Sequence, residues 1–504
     1  MDSSRRQTIA SIKRLTAFSD NIEAVPRGEA RIHGRNLSIN PLTTRWKVAR
    51  MARTLVADAS AFRQKFHSQR IRGSDQTLSG AGANTTPMRI LHLSYADAGG
   101  GAARAAYRLH AGLRKIGLNS RMQVMKRKSA DPDVSEFKVA PDILSRVRRK
   151  MCQLAIEAPL RRFSGYDGEG FRRFSTERSR FGDELLRQLP PCDVLHLHWV
   201  AGMFDVPSLF LRLPPHLPVV WTLHDMNPMT GGCHYDDGCG RFVDRCGRCP
   251  HLASSRDNDP SRESLEKKRA AFRAIAAERL SIAAPSAWMA GQARASSLLQ
   301  RFRIETIPYG LDTHDFAPRD QRYAREVLGI PADMPVLLFV AATVNDPRKG
   351  FRYVKEAVEK LGSPVFLLSV GGSTVERTEH SFHLGNVDAD PLLSLVYSSA
   401  DAFVVSSLED NLPLTVLESL ACGTPVVGFQ TGGIPDAVQE GITGQTVPTG
   451  DVAALAAAIG KILESGRRSS LRADCREAVM QNYSLEIQAR TYLRLYEQVA
   501  ATAV

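Results

Sequence analysis

No apolar run in this 504-residue chain approaches the roughly 20 residues that a membrane-spanning helix needs. The N-terminus has no apolar core of the kind a secretory signal carries, which argues against export. Cysteine is scarce, eight in all, and Cys152, Cys192, Cys422 and Cys475 are scattered as buried free thiols usually are. A reducing cytoplasm fits this usage best. What remains is the composition of an ordinary globular protein, 43% hydrophobic with glycine and proline spread along it, and long enough for two or three domains with full cores.

Acidic residues are short in the first part of the chain. Residues 1–87 carry 15 Lys/Arg against six Asp/Glu, and so hold nine of the net thirteen positive charges. Within this extension Trp46, Val48, Met51, Leu55 and Phe62 recur at near-helical spacing and predict one basic amphipathic helix, while residues 73–87 read as a linker. A second basic stretch runs through Arg146, Arg148, Arg149, Lys150, Arg161, Arg162, Arg172 and Arg173. An anionic membrane surface, a nucleic acid and plain solvation compete as explanations for these charges.

The most informative segment is LEDNLPLTVLESLACGTPVVG, residues 408–428. Asn411 suits an N-cap, Pro413 a first helical turn and Gly423 a helix stop, with the strand Val426-Val427 following. Asp410 and Glu418 lie eight residues apart, one at the helix mouth and the other about two turns inside. The backbone N–H groups of Leu412, Leu414 and Thr415 are free at that mouth, which favours a phosphate, and nearby carboxylates suit sugar or ribose hydroxyls. Dipole compensation by the acidic pair Glu409-Asp410 is the plainer alternative.

This segment resembles the nucleotide-sugar site of retaining glycosyltransferases of family GT4, whose pattern is a Glu, seven residues, then a second Glu. The resemblance covers about residues 88–500. It implies an α/β protein of the GT-B fold, two Rossmann-like doubly wound domains facing a cleft, here with a basic N-terminal extension. The implied division is an extension over 1–87, an acceptor-side domain over 88–300, a nucleotide-sugar domain over 301–480, and a last helix over 481–504 that returns to the first domain. Glu418 matches the position that holds the donor ribose, and Asp410 the one that contacts the sugar, where Glu is usual. Glu409 could take that role only by a one-residue slip. Arg348-Lys349-Gly350, at a helix start after a buried strand, resembles the site of the donor diphosphate; the upstream positions Ala341, Ala342 and Thr343 lack the family's arginine, so that Arg348 is the candidate substitute. Leu384-Gly385 resembles the backbone site for the base.

The first domain opens at Met88 with a strand, the run Gly99-Gly100-Gly101 and a helix, which is a phosphate-cradle arrangement. It departs from G-x-G-x-x-G, and no acidic residue ends a clear second strand. In the family the corresponding loop faces the cleft, so Gly100 and Gly101 are expected there beside the donor. The strand over 217–225 ends in His224 and Asp225, at the carboxyl edge where open α/β sheets bind ligands. The resemblance points His224 at the donor sugar. His196 and His198 alternate on one strand and read as packing or cleft lining.

Cys233, Cys239, Cys246 and Cys249 stand apart from the other thiols: four within seventeen residues of loop-like sequence, ending in C-x-x-C. That spacing suggests a structural zinc, with disulfides as the alternative. The surrounding residues, TLHDMNPMTGGCHY onward, resemble a subgroup of bacterial exopolysaccharide glycosyltransferases of the colanic-acid type. Together these features imply a hexosyltransferase-type enzyme moving a sugar from a nucleoside diphosphate sugar to a saccharide, lipid-linked, in polysaccharide biosynthesis. No cofactor is expected for catalysis and no nucleic acid as partner; the expected location is cytoplasmic and peripheral on an inner membrane face. A hydrolysing epimerase of the same fold, a transferase with a soluble acceptor, and a non-catalytic nucleotide-sugar or nucleic-acid binding protein are the competing classes.

Overall fold

A computed structural model describes residues 88–166, 174–464 and 468–502. The amphipathic helix expected between Trp46 and Phe62, and the basic residues Arg172 and Arg173, lie outside the described residues. No helix among the described residues is long and apolar enough to cross a membrane.

The first sheet contains β1 (Arg89–Ala96), β2 (Asn119–Lys126), β3 (Val134–Glu136), β4 (Val194–Leu197), β5 (Val219–Thr222), β6 (Leu280–Ala284) and β7 (Arg303–Thr306). β4, β5 and β6 are buried along their whole length, as strands covered on both faces must be. Every neighbouring pair is parallel, in the order β3-β2-β1-β4-β5-β6-β7. The order reverses between β1 and β4, so a crevice opens beyond the carboxyl ends of those two strands. Helices α1 (Gly101–Lys115) and α2 (Ile143–Leu160) belong to this domain, as does α3 (Ala287–Ala295).

The second sheet repeats the plan with β8 (Val336–Val340), β9 (Phe366–Val370), β10 (Glu376–Arg377), β11 (Ser381–His383), β12 (Ala402–Val405), β13 (Val426–Phe429) and β14 (Gly444–Val447). The order is β10-β11-β9-β8-β12-β13-β14, and only the edge pair β10-β11 is antiparallel. Its reversal falls between β8 and β12. Two α/β domains of the same winding are therefore joined in one chain.

Two expected boundaries move. Ile304, expected to open the second domain, lies in β7, so the division placed at 300/301 comes later, between β7 and β8. β7 is a partly exposed edge strand without an apolar run, and pattern alone does not assign it to a sheet. The helix after residue 410 is α4 (Leu414–Ala421) with Pro413 in the N-cap position, so Asn411 is not its cap. Cys422 closes it and Gly423, at φ +73°, takes the left-handed turn.

Helix α5 (Arg468–Asn482) packs on α4, after which α6 (Leu485–Thr502) leaves the second domain and lies on α1 of the first. Ala489, Tyr492, Leu495, Tyr496 and Val499 of α6 join Ile90, Leu109, Leu113, Val194 and Val220 in one apolar cluster. The crossing is close at Gly112, where an added Cβ would stand 2.9 Å from Leu485 Cγ and 3.2 Å from its carbonyl oxygen. Gly112→Val should therefore destabilise the protein by about 1–3 kcal/mol through overpacking, read as a lower denaturant midpoint at unchanged slope.

Candidate active site

The reversal of strand order in the second sheet brings the loop after β8 against the loop after β12. Residues 61 apart in sequence thereby meet: Lys349 Nζ lies 2.5 Å from Asp410 Oδ2. Ser407 Oγ donates to the same oxygen at 3.2 Å, and the Asn411 N–H to the other at 3.1 Å. Burial pushes the Asp410 carboxyl up, but Lys349 and Arg348 outweigh it and hold the group below the ordinary carboxylate range. Asp410 is thus a buried anion with a cation beside it. Arg348 donates to the Glu409 carbonyl at 2.7 Å and lies over the Tyr235 ring of the first domain, 5.0 Å from its centroid.

Glu409 does not slip into the role of Asp410. It turns the other way, toward Asp237, and burial followed by that neighbouring carboxyl pushes it up to about 8. A neutral carboxyl and an ionised one thus stand side by side at neutral pH.

The opposite wall belongs to the first sheet. β5 runs into His224 and Asp225, which line a cavity of about 1090 Å³ together with Trp199, Arg348 and Glu409. Both ring nitrogens of His224 are engaged, Nδ1 with the Tyr309 hydroxyl at 2.8 Å and Nε2 with His198 Nδ1 at 3.0 Å. Burial pushes this imidazole down to about 4, so it is neutral. Asp225 accepts from Trp199 Nε1 and His234 Nδ1, both at 2.6 Å, and from the Asn227 N–H at 2.9 Å.

His198 continues inward to His92 at 2.9 Å, while His196 binds Tyr496 and Thr222, each at 2.7 Å. The ring nitrogens of His92, His196 and His198 come within 4.8 Å of one another. Both nitrogens of His196 and of His198 are committed to these hydrogen bonds, which makes them packing groups behind His224 rather than open metal ligands.

Glu418 sits deeper. It is 2% exposed and accepts from Arg108 Nη2 of α1 at 2.8 Å and from the Tyr397 hydroxyl at 3.1 Å. Arg108 also reaches Asp390 at 3.3 Å. Glu418 is therefore partnered across the domains and does not line the cavity that His224 and Arg348 share. Asn411 makes a second link, its amide donating to the Leu223 carbonyl at 2.8 Å and accepting from Ser286 Oγ at 2.9 Å.

No acceptor among the described residues takes the N–H of Leu412, Leu414 or Thr415. Gly100 and Gly101 open α1 with nothing within 4 Å of an added Cβ, and the next residue, Ala102, lines the cavity. Gly385, at φ +69°, is packed against the Thr374 carbonyl. Sequence reasoning missed Arg108, Tyr235 and Tyr309. Arg104 and Arg108, one helical turn apart in the Ala-rich first half of α1, were the available signal for the first.

Residues 334–465 match the family described as glycosyl transferases, group 1. The D-inositol 3-phosphate glycosyltransferase of Acidothermus cellulolyticus is 36% identical over 191 residues, 34% of this chain and 42% of that protein. Its counterpart in Mycobacterium tuberculosis is 33% identical over 179 residues, 32% of this chain and 36% of that one. The chain thus spans less than half the length of these curated relatives.

Among solved structures, sucrose-phosphate synthase of Thermosynechococcus elongatus superposes with a TM-score of 0.58 at 22% identity, covering 82% of this chain and 100% of that one. Anabaena HepE, solved in complex with UDP and glucose, superposes at 0.55 with 16% identity over the same shares. The chain has the two-domain GT-B architecture, and the part of its second domain between residues 334 and 465 is what matches the group 1 glycosyl transferases.

Two measurements test this site. Glu418→Ala leaves the Arg108 charge buried with only Asp390 beside it, so unfolding should become easier by about 3 kcal/mol, with a smaller loss in Glu418→Gln. For Glu409, the folded value near 8 exceeds the ordinary 4.5, so its retained proton removes stability as pH rises between those values. Denaturation across that window should show the decline in the wild type and a flatter profile in Glu409→Gln.

Proposed function

We propose that the chain is a retaining glycosyltransferase that moves a sugar, of the hexose type, from a nucleoside diphosphate sugar to a saccharide acceptor. The observation that supports this most is the meeting of Arg348 and Lys349 with Glu409 and Asp410 at the switch point of the second sheet, opposite His224 and Asp225 of the first. Strand-end loops around one cavity at such a point are where doubly wound domains bind nucleotides.

In this reading the donor diphosphate lies against Arg348 and Lys349, whose charges stabilise the negative charge that develops as the sugar–phosphate bond breaks. The free N–H groups at the mouth of α4, near Leu412, Leu414 and Thr415, face the same charge. Pro413 at the N-cap has no N–H, and none is needed there. Asp410 holds Lys349 in place and accepts from sugar hydroxyls. Neutral His224 faces the sugar from the other domain, Gly100 and Gly101 leave room at the cleft, Gly385 borders the base, and Glu418 serves the ribose if Arg108 yields to it.

The bond from the anomeric carbon to the leaving phosphate oxygen breaks as the bond to the acceptor oxygen forms on the same face. The acceptor proton passes to the departing phosphate, so that Asp225 beside His224, already engaged by Trp199, His234 and the Asn227 N–H, is not needed to take it. The proposed acceptor is a lipid-linked saccharide in polysaccharide assembly at a cytoplasmic membrane face.

The cysteine-rich insertion is a separate structural element of this reading. Cys233, Cys239, Cys246 and Cys249 border one cavity of about 20 Å³. All four are free thiols, not paired as disulfides, and burial pushes Cys246 and Cys249 up to about 11. The knuckle between them needs two left-handed residues, Gly247 at φ +125° and Arg248 at φ +46°. One structural zinc held by these four thiols, whose charge would keep them ionised, belongs to this reading; among the described residues only His92, His196 and His198 already bring their ligand atoms within 4.8 Å of one another, so the four sulfurs would have to close on the ion.

Three results are expected. One class among UDP-, GDP-, ADP- and TDP-sugars should raise the melting midpoint, and Lys349→Ala should abolish that shift and lower transfer by about 10²–10³. No shift with any donor would sink the assignment. Donor affinity should fall as pH passes about 8, where Glu409 ionises beside the diphosphate, and this fall should vanish in Glu409→Gln. Elemental analysis of the purified chain should find one zinc, lost in Cys246→Ser/Cys249→Ser; no zinc with thiols intact would remove that element.

A further inference from the structure

Helix α2 carries an apolar face that nothing among the described residues covers. Ile143, Leu144, Val147, Met151 and Leu154 are 43–82% exposed, five of the eleven large exposed apolar residues described. Positions 143, 147, 151 and 154 fall on one side of a helix. The opposite side is anchored: Arg149 is buried, pairs with Glu184 at 3.1 Å and donates to the Ala140 carbonyl at 2.6 Å. Exposed Arg146, Arg148 and Lys150 are interleaved with the apolar stripe. A surface that is apolar in a line and basic beside it matches the boundary of an anionic bilayer, where apolar side chains enter the acyl region and cations meet the headgroups.

Beside this helix lies a cavity of about 440 Å³ at the carboxyl ends of β1 and β2. Lys126, Arg146, Lys150 and Arg180 line it, and no carboxylate does. None of these four is in an ion pair with a described carboxylate; Lys126 and Arg180 instead lie over the rings of Tyr95 and Phe181. Four unneutralised cations in one concavity call for an anion of more than one charge. The cavity also has a neighbour. Tyr95 on its wall meets Trp199 edge to face, with centroids 5.7 Å apart, and Trp199 lines the transfer cavity beside His224. Paired aromatic rings between this basic pocket and the cavity beside His224 suit a saccharide lying across them.

We propose that this pocket receives the phosphate or diphosphate of a lipid-linked acceptor, while the Ile143–Leu154 face of α2 is seated in an anionic membrane. The proposal rests on the glycosyltransferase reading above, its lipid-linked acceptor included, and adds the pocket that holds that acceptor's phosphate and the helix face that meets the membrane.

The full-length chain is tested by flotation with vesicles of phosphatidylcholine, of phosphatidylcholine with phosphatidylglycerol, and of phosphatidylcholine with a polyprenyl phosphate matched in charge. Wild type should bind both anionic vesicles and prefer the polyprenyl phosphate. Val147→Glu/Met151→Glu should bind all anionic vesicles at least about tenfold more weakly. Arg146→Ala/Lys150→Ala should bind both anionic vesicles about thirtyfold more weakly, the strength of two basic groups near such a surface, and should also lose the preference for polyprenyl phosphate.

Undiminished binding of the Glu variant would assign the membrane contact to another part of the chain and overturn the helix face. A wild type without preference, or an alanine variant that keeps it, would overturn the pocket. The donor melting shift, measured on the same samples, separates these failures from failure of the parent reading: its presence beside negative vesicle results sinks only the acceptor proposal.

Discussion

The relation between the two sheets depends on a charge held out of water. Arg108 of the first domain and Glu418 of the second are both almost fully buried, 2.8 Å apart, with Tyr397 and Asp390 completing the group. Removing either charge from water is costly, and only close geometry with further hydrogen bonds offsets that cost. Such a pair specifies one arrangement, because a displaced domain would leave an ion unpaired. Asn411 works in the same direction with a neutral group, bridging the Leu223 carbonyl and the Ser286 hydroxyl. The helix α4 and the turn before it are thereby fastened to the first domain at two points.

That arrangement sets the electrostatics of the cleft. Two neighbouring carboxyls are driven apart in behaviour by their surroundings: Asp410 beside Lys349 stays ionised, while Glu409 beside Asp237 keeps its proton to about 8. His224 is neutral because burial outweighs the pull of Asp225, and both its nitrogens are engaged in hydrogen bonds. The cleft therefore presents Arg348 and Lys349 from one loop, with Asp410 and Asp225 each held by its own donors and Asp237 and Asp346 on the cavity wall.

Much of this was legible along the chain. The segment 408–428 announced its helix, its stop and its strand, because capping residues and apolar runs act locally. The doubly wound domains followed from buried strands alternating with helices. The helix start was misread at Asn411, since an Asn that suits a cap also suits a bridge, and only the neighbouring domain decides between them. Ile304 was given to the wrong sheet for a similar reason: an edge strand with polar neighbours carries no sign of its partner.

Residue types, their local spacing and the period of the apolar pattern were enough to determine two doubly wound domains, and the family resemblance they carry pointed to the GT-B architecture and singled out the basic pair Arg348-Lys349. The same information held the basic content of α2 but not its meaning, because basic residues read alike whether they are paired or free. Tertiary structure decided that Arg149 is spent on Glu184, that Lys126 and Arg180 join Arg146 and Lys150 around one pocket, and that Glu418 already has a partner in Arg108. Those outcomes depend on contacts between residues 35 to 310 positions apart. A contact at such separation is set by how sheets and helices pack, and no window of sequence contains it.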